Sequence, residues 1–241
     1  MKHLTSLLFF MGTIFALAPS ATLSQTPKCD WLEINSDLMT SRFADALPRV
    51  DACIVLLEQE TSADHPGMSL SAVGLGGIYL TRAQILAQQG SFSSAESAMN
   101  SANRVAHQHG FDNTFLMNWD RQLGSTQGLI LEREGRARDA IATYARTENY
   151  GRAALLSLDL GDVAEAGRLA RKEAPEDTDA LVALGGLAEA SGDTAVAVQE
   201  YKAAWSNIVQ GRDRDGAVLP THFLDVSRVR SSLGRLGAPV R

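Results

Sequence analysis

A short pattern occurs four times in this chain, and it constrains the fold more than any other feature. In each copy a glycine follows a run with helical spacing, a glycine or alanine stands seven residues before it, and an alanine stands five residues after it. The four stretches are 83–95, 128–140, 154–166 and 185–197. Glycine ends a helix at low cost because it adopts left-handed backbone freely, and small residues let two helices approach closely. The pattern therefore predicts four pairs of antiparallel helices, each joined by a short turn.

Composition favours helices along the rest of the chain. Aromatic residues make up 6% of the 241 residues and only seven residues are proline. A β-sandwich would need many aromatic and β-branched residues, whereas alanine, which is abundant here, is the best helix former. We therefore expect an all-α fold.

Larger residues are expected to fill the space between the paired helices. They stand nine residues after three of the turn glycines, as Met99, Tyr144 and Tyr201. Ala170 holds this position in the third unit. The third pair is therefore predicted to be the thinnest of the four.

The turn glycines also define a period. They are Gly90, Gly135, Gly161 and Gly192, and their mean spacing matches the period of about 34 residues that is typical of the tetratricopeptide repeat. Residues 77–207 resemble this family, and the fourth unit is the most similar, with Leu184, Gly185, Ala188, Gly192, Ala197, Tyr201 and Ala204. The resemblance implies a solenoid of antiparallel helix pairs, a tetratricopeptide-like superhelix with capping helices at both ends.

The chain departs from the family in its spacing and in one residue type. The interval from Gly90 to Gly135 is longer than the family's period, the interval from Gly135 to Gly161 is shorter, and the family's early tryptophan is missing from all four units. We interpret residues 110–119, within the long interval, as an extension of the next first helix. A related solenoid of helix pairs could give the same pattern.

The resemblance implies a binding surface, because in the family the first helix of each pair lines a concave groove. The matching positions in this chain are Gln84, Gln88, Gln122, Ser125, Leu129, Glu132, Arg133, Asp179 and Glu189. The alternative is that these residues only face solvent. The set lacks the lysines and asparagines with which family members hold a terminal carboxylate, so a chaperone tail is not the expected ligand.

The first residues have the order of a secretory signal, which is a charge, an apolar run and then small residues. Lys2 precedes an apolar run over residues 7–18, and we expect cleavage after Ala21 or Ser24. The run is shorter than the ~20 residues that span a bilayer, although an uncleaved anchor is the alternative. No other segment is expected to cross a membrane. We therefore predict an exported protein of the bacterial periplasm, without stable membrane insertion after cleavage.

Four regions follow from these patterns. They are a signal peptide over residues 1–24, an N-terminal helical cap over 25–67, the repeat array over 68–209, and a C-terminal loop and capping helix over 210–241. Within the N-terminal cap, Pro48 is predicted in the first turn of a helix, and a shorter helix that uses Trp31, Leu32, Ile34 and Leu38 is expected before it. The C-terminal helix is expected to open at Pro220, with Phe223, Val226, Val229 and Leu233 on one side.

The two cysteines, Cys29 and Cys53, both fall in the predicted cap. An even number of cysteines in an exported chain indicates a disulfide. This bridge would close a loop of about 25 residues and contribute on the order of 3 kcal/mol. The alternative is two buried free thiols.

Charge and motifs exclude several classes of function. The net charge is −6, or −7 after loss of Lys2 with the signal, and no basic stripe interleaved with aromatic residues occurs. Nucleic acid is therefore not an expected partner.

His107 and His109 are two residues apart, so on a helix they point in different directions and do not form a helical metal pair. The glycines of residues 74–77 lack the third glycine of a phosphate loop and are better explained by a helix contact.

The sequence therefore predicts an interaction scaffold or adaptor of the cell envelope that binds a protein or peptide in its groove. Since catalytic motifs such as G-x-S-x-G and H-E-x-x-H are missing, we expect no enzyme activity and no cofactor. The first alternative is a periplasmic inhibitor or immunity-type protein that blocks an exported enzyme with its acidic surface. The second is an enzyme with a site that these motifs do not reveal.

Overall fold

The computed structural model describes residues 29–63, 69–111, 113–173, 177–210 and 222–238. The predicted signal peptide and most of the predicted polar loop lie outside these residues. Every element within them is an α-helix, which confirms the all-α prediction. The helices are α1 (Trp31–Met39), α2 (Phe43–Ala63), α3 (Leu70–Gln88), α4 (Phe92–Gln108), α5 (Asn113–Arg133), α6 (Ala137–Arg146), α7 (Tyr150–Asp159), α8 (Val163–Ala170), α9 (Thr178–Ala190), α10 (Thr194–Gln210) and α11 (His222–Arg235).

The four turn glycines each end a helix in the same way. Their φ angles are +75°, +80°, +80° and +81°, so all four adopt the left-handed backbone that the sequence predicts. In each turn the glycine N–H donates to the carbonyl three residues earlier, and the next N–H donates to the carbonyl five residues earlier. At Gly135 these two bonds measure 3.1 and 2.9 Å. They satisfy carbonyl groups that would have no partner at a helix end, and they join α3 to α4, α5 to α6, α7 to α8 and α9 to α10.

A glutamate takes the place of glycine in the similar turn between α6 and α7. Glu148 has a φ of +60°, and the Asn149 N–H donates to the Tyr144 carbonyl at 2.8 Å. Left-handed backbone costs a residue other than glycine about 1 kcal/mol.

We expect Glu148→Gly to raise the free energy of unfolding by about 0.5–1 kcal/mol, and the reverse change Gly135→Ala to lower it by about 1 kcal/mol. Urea unfolding measures both, and a loss of stability in Glu148→Gly would contradict the expectation.

The small residues of each pattern lie where the paired helices meet. All eight are buried, and glycine occurs where the facing residue is large. A Cβ built on Gly128 would lie 2.3 Å from Tyr144 Cε1, and one built on Gly185 would lie 2.8 Å from Tyr201 Cε1. The other two pairs have alanine at this position and a smaller residue nine places after the turn glycine. Residue sizes are therefore matched within each pair.

The helix pairs pack in chain order. First helices contact each other between α3 and α5 and between α7 and α9, and each second helix contacts the first helix that follows it. At the N-terminal end α1 packs on α2 and α2 on α3, while α11 packs on α9 and α10. The buried apolar residues form two large clusters, one around Ile78 and Trp119 and the other around Leu155 and Leu233.

The uneven intervals between the turns correspond to uneven helices. The long interval contains α5, which begins at Asn113 and has 21 residues. The predicted extension over residues 110–119 therefore begins three residues later than expected, because Gly110 has a φ of +57° and precedes the helix. The short interval leads to α7 and α8, which have ten and eight residues and form the shortest pair. The third pair is therefore the shortest of the four. The closer approach of its two helices that Ala170 predicts stays a prediction.

The glycines of residues 74–77 lie in α3, where they admit neighbouring side chains. A Cβ on Gly76 would lie 2.7 Å from Trp119 Cη2, and the Trp119 ring packs edge-on against Phe111 with centroids 5.3 Å apart. Gly74 faces Leu57 at ordinary contact distance. These contacts confirm the interpretation as a helix contact for Gly74 and Gly76.

Two sequence expectations are corrected by the helices. Pro48 lies in the second turn of α2 and not in the first, because the helix begins at Phe43, so its missing N–H removes one hydrogen bond within the helix. In addition, α3 is long and apolar enough to cross a membrane by length and composition, with a mean hydropathy of 1.2, although no such segment was expected there. Of that window, 61% is buried inside the protein, as in the core helix of a packed domain. No other helix in the described ranges meets the same criterion.

A covalent link holds the N-terminal helices together. Cys29 and Cys53 lie at disulfide-bonding distance, with their Cα atoms 4.6 Å apart, which confirms the predicted pairing. Arg49 of α2 adds ion pairs to Glu33 and to Asp37, the latter at 3.0 Å. A disulfide is typical of an oxidising, exported environment.

Candidate functional site

The nine residues that the resemblance assigns to a groove lie on α3, α5 and α9, and they differ in exposure. Gln84, Ser125 and Leu129 are buried, Gln88, Gln122, Glu132, Asp179 and Glu189 are half-buried, and Arg133 is exposed. Gln84 is 1% exposed, and its Nε2 donates to Thr126 Oγ1 at 3.0 Å between α3 and α5. The buried three belong to the packing between helices, so a partner lying on the outside of the helices would not contact them.

Glu132 joins three helices through its carboxylate. It accepts a hydrogen bond from the Tyr144 hydroxyl at 3.2 Å, and Arg152 donates to it through Nη2 at 2.7 Å and Nε at 3.2 Å. The Arg152 and Glu132 side chains are 10% and 16% exposed. The negative charge of Asp179 on α9 contributes to raising the pKa of the same tyrosine. Of the predicted residues, Glu132 thus lies where α5, α6 and α7 meet.

The same arrangement occurs again around the fourth pair. Glu189 accepts a hydrogen bond from the Tyr201 hydroxyl at 3.1 Å and from Arg235 Nη2 at 2.8 Å. Each of these glutamates stands three residues before its turn glycine, and each tyrosine stands nine residues after it. Glu132 and Glu189 therefore tie successive helices together, and substituting them would change stability as well as any binding.

Burial of the Tyr144 hydroxyl makes the stability of the fold depend on pH in the alkaline range. Burial raises the pKa of Tyr144 well above its usual value, although Arg152 opposes the shift. The pKa in the unfolded chain is about 10. The folded protein keeps the proton where the unfolded chain loses it, so stability that is present below pH ~10 is lost as the pH rises above it.

We expect the free energy of unfolding to fall by up to about 1.4 kcal/mol per pH unit above pH ~10 through this one tyrosine. The Tyr144→Phe variant, which has no proton to lose at this position, should show a shallower fall. Urea unfolding at several values between about pH 8 and 11 measures both slopes. Parallel profiles for the two proteins would show that Tyr144 does not contribute.

Three of the predicted residues remain available to a partner, Gln88, Gln122 and Arg133. Gln88 and Arg133 occupy equivalent positions, two residues before a turn glycine at the ends of α3 and α5. Within the described residues, none of the three side chains has a hydrogen-bond or ion-pair partner. Their amide and guanidinium groups can donate to peptide carbonyls, and the two amides can also accept from peptide N–H groups.

A buried network of charges, which the sequence does not predict, joins the second and third pairs. Arg121 Nη2 of α5 lies 3.2 Å from Glu173 Oε1 and 3.8 Å from Asp177 Oδ2. The second oxygen of Glu173 accepts from the Gly151 N–H of α7 at 3.1 Å, and Asp177 caps α9 by accepting from the Ala180 N–H at 2.8 Å. The Glu173 side chain is fully buried. These contacts connect α5, α7 and α9 at the short interval of the array.

An open cleft of about 920 Å³ lies between the α5–α6 turn and the α7–α8 turn. Its charged side chains form pairs within their own turns, since Arg136 Nη2 lies 2.9 Å from Asp139 and Arg168 contacts Glu165. Leu160 on the cleft wall is half-exposed. The cleft is therefore lined by both polar and apolar side chains, and several of its charged groups are already paired with each other.

The described residues contain no group of three or more His, Cys, Asp or Glu side chains that could hold a metal ion. The two neighbouring histidines lie at the end of α4, with His107 exposed and His109 half-buried. Comparison with protein families, with characterised proteins and with solved structures finds no match to this chain.

Proposed function

We propose that the protein is an exported scaffold or adaptor of the bacterial cell envelope, and that it binds a protein or peptide segment along its first helices. The observation that carries this proposal is the fourfold repetition of one helix-pair unit, with the same turn geometry and the same buried small residues. Repeated units of this kind use an extended surface for binding. We further propose that the pairs stack as an irregular tetratricopeptide-like superhelix, with α1 and α2 at one end and α11 at the other.

The proposed binding surface consists of the available residues Gln88, Gln122 and Arg133. They supply hydrogen bonds to a peptide backbone and a single positive charge, which suits an extended segment of a partner with an acidic group. Glu132 and Glu189 are excluded from the surface because their carboxylates are already bound to tyrosine and arginine.

Affinity capture from envelope extract tests the groove. The variant combines Gln88→Ala, Gln122→Ala and Arg133→Ala, and a matched control combines Glu96→Ala, Arg146→Ala and Lys202→Ala on the second helices. We expect the first variant to lose a partner that the wild type and the control both retain. Recovery of the same partners by all three proteins would refute the groove.

Export is proposed from the signal-like start and is supported by the cysteine pair. Expression of the full chain in a bacterium, followed by fractionation and N-terminal sequencing, tests it. The periplasmic fraction should contain a chain that begins at Thr22 or Gln25. A full-length chain retained in the membrane would identify an uncleaved anchor instead.

The alternative of an inhibitor or immunity-type protein is favoured by one observation, the concentration of acidic residues in the N-terminal helices. Such a protein would bind a basic exported enzyme with strong salt dependence. The enzyme alternative would require a reaction that depends on residues such as His107 or His222, whose substitution would then abolish the activity.

A further inference from the structure

Negative charge is concentrated at the N-terminal end of the protein. Residues 29–63 contain seven acidic residues and two arginines, a net charge of −5, whereas the whole chain carries −6. Four of the acids are exposed: Glu33, which pairs with Arg49, and Asp45, Glu58 and Glu60. The remaining residues together carry −1, so most of the net negative charge of the chain lies in residues 29–63.

The same end presents large apolar side chains to solvent. α1 begins with Trp31, which is 40% exposed, and Leu32, which is 82% exposed. Single exposed apolar residues are ordinary, but a tryptophan beside a leucine at the start of a helix combines two residues that bury large areas on association. Tryptophan is also among the residues that contribute most to protein interfaces.

The backbone that carries these two residues is held in place before any partner binds. Cys29, two residues before Trp31, is bonded to Cys53 of α2. Asp30 caps α1, and its Oδ1 accepts from the Leu32 and Glu33 N–H groups at 3.1 and 3.2 Å. A preorganised surface loses less conformational freedom on binding than a flexible one.

We propose that Trp31 and Leu32 anchor a second docking surface, separate from the groove, and that its occupant is a basic segment of another protein with apolar side chains between its lysines or arginines. The apolar pair would enter the apolar part of that segment, and the acids of α1 and α2 would attract its cations. A second copy of this chain would present the same net charge of −5 and be repelled, as would an anionic lipid surface. Charge therefore selects a basic protein segment as the occupant.

Calorimetric titration of the oxidised mature protein tests this surface with a synthetic amphipathic helical peptide that carries lysines on one face and leucines on the other. A peptide with glutamate in place of lysine is the control ligand. We expect the lysine peptide to bind, the Trp31→Ser/Leu32→Ser variant to bind at least about tenfold more weakly, and the affinity to fall as salt rises from about 50 to 200 mM. Leu32→Ser alone should weaken binding at least about threefold, because this side chain is almost free of the protein.

Matched variants separate this surface from other sites. Leu160→Ser and Val209→Ser remove apolar side chains of similar exposure elsewhere and should bind the lysine peptide as the wild type does, as should the triple groove variant. Leu32→Ser, Leu160→Ser and Val209→Ser should keep thermal midpoints within about 2 °C of the wild type, since they change exposed side chains. The Trp31→Ser/Leu32→Ser variant and the groove variant change partly buried residues, so circular dichroism is used to establish that they are folded. The proposal is overturned if the lysine peptide does not bind, if the Trp31→Ser/Leu32→Ser variant binds as well as wild type, or if the glutamate peptide binds equally. None of these outcomes bears on the groove, whose partner is tested separately.

Discussion

Replacing Gly128 by alanine is expected to lower the free energy of unfolding by about 3 kcal/mol. The added Cβ would lie 2.3 Å from Cε1 and 2.5 Å from Cζ of Tyr144, distances that carbon atoms do not adopt without a shift. The ring is fully buried, and its hydroxyl is held by Glu132. It can move aside only by losing that hydrogen bond or by displacing its neighbours, so a single methyl group has a large effect.

The first pair of the same chain suggests a compensating change. It has Ala83 and Met99 at the positions that Gly128 and Tyr144 hold in the second pair. Methionine is unbranched and adapts to irregular space. Adding Tyr144→Met to Gly128→Ala is therefore expected to recover about half of the loss, even though Tyr144→Met alone should be destabilising by about 2 kcal/mol through the lost ring and hydrogen bond.

Gly77→Ala is the matched control for an added methyl group in a first helix. A Cβ on Gly77 has no neighbour within 4 Å, and alanine is favoured over glycine inside a helix by about 1 kcal/mol. Gly77→Ala should therefore be more stable than the wild type. Urea unfolding followed by circular dichroism measures the free energy of unfolding of Gly128→Ala, Tyr144→Met, their combination and Gly77→Ala. If the losses from Gly128→Ala and Tyr144→Met simply add, the two side chains are not coupled and the packing argument is wrong.

The sequence predicts the features of this fold that depend on residues close together along the chain. A left-handed glycine, the two hydrogen bonds that follow it and the facing small residues all fall within one short stretch such as 128–140, so the four turns could be recognised without a structure. The pairing of Cys29 with Cys53 follows from having only two cysteines. The extended start of α5 follows from the length of one interval.

Features that depend on the rotation of one helix against another could not be predicted. Each residue advances an α-helix by about 100°, so an error of one or two positions moves a side chain from the surface to the core. Gln84 and Leu129 stand at equivalent positions, six residues before their turn glycines, and both are buried. This position therefore faces the neighbouring helices, although the resemblance assigns both residues to a groove.

The buried charges show a different limit. Arg121 and Glu173 are far apart in the sequence, and isolated charged residues are common on solvated helices. No spacing or motif distinguishes these two from their exposed counterparts. Only the burial of the Glu173 side chain and its second contact, with the Gly151 N–H, identify the network.

Glu173→Ala is expected to lower the free energy of unfolding by about 4 kcal/mol. The substitution removes the nearest carboxylate from the buried Arg121 guanidinium and leaves the Gly151 N–H without its acceptor. Asp177 Oδ2 remains 3.8 Å from Arg121 Nη2, but losing the nearer carboxylate from a buried charge costs far more than losing a surface pair. Glu173→Gln keeps an oxygen for the N–H and loses only the charge, so its effect should be about half as large.

Two further variants determine whether the loss comes from the buried pair. Glu165→Ala breaks the exposed contact with Arg168 and should change stability little, because solvent screens such pairs. Arg121→Met combined with Glu173→Ala removes both charges, and the double variant should be more stable than the sum of the single losses predicts. Additive losses, or an equal effect of Glu165→Ala and Glu173→Ala in urea unfolding, would mean that the ion pair does not hold α5 to α7. Coupled losses would instead show that this buried pair stabilises the protein next to its shortest helix pair, α7 and α8.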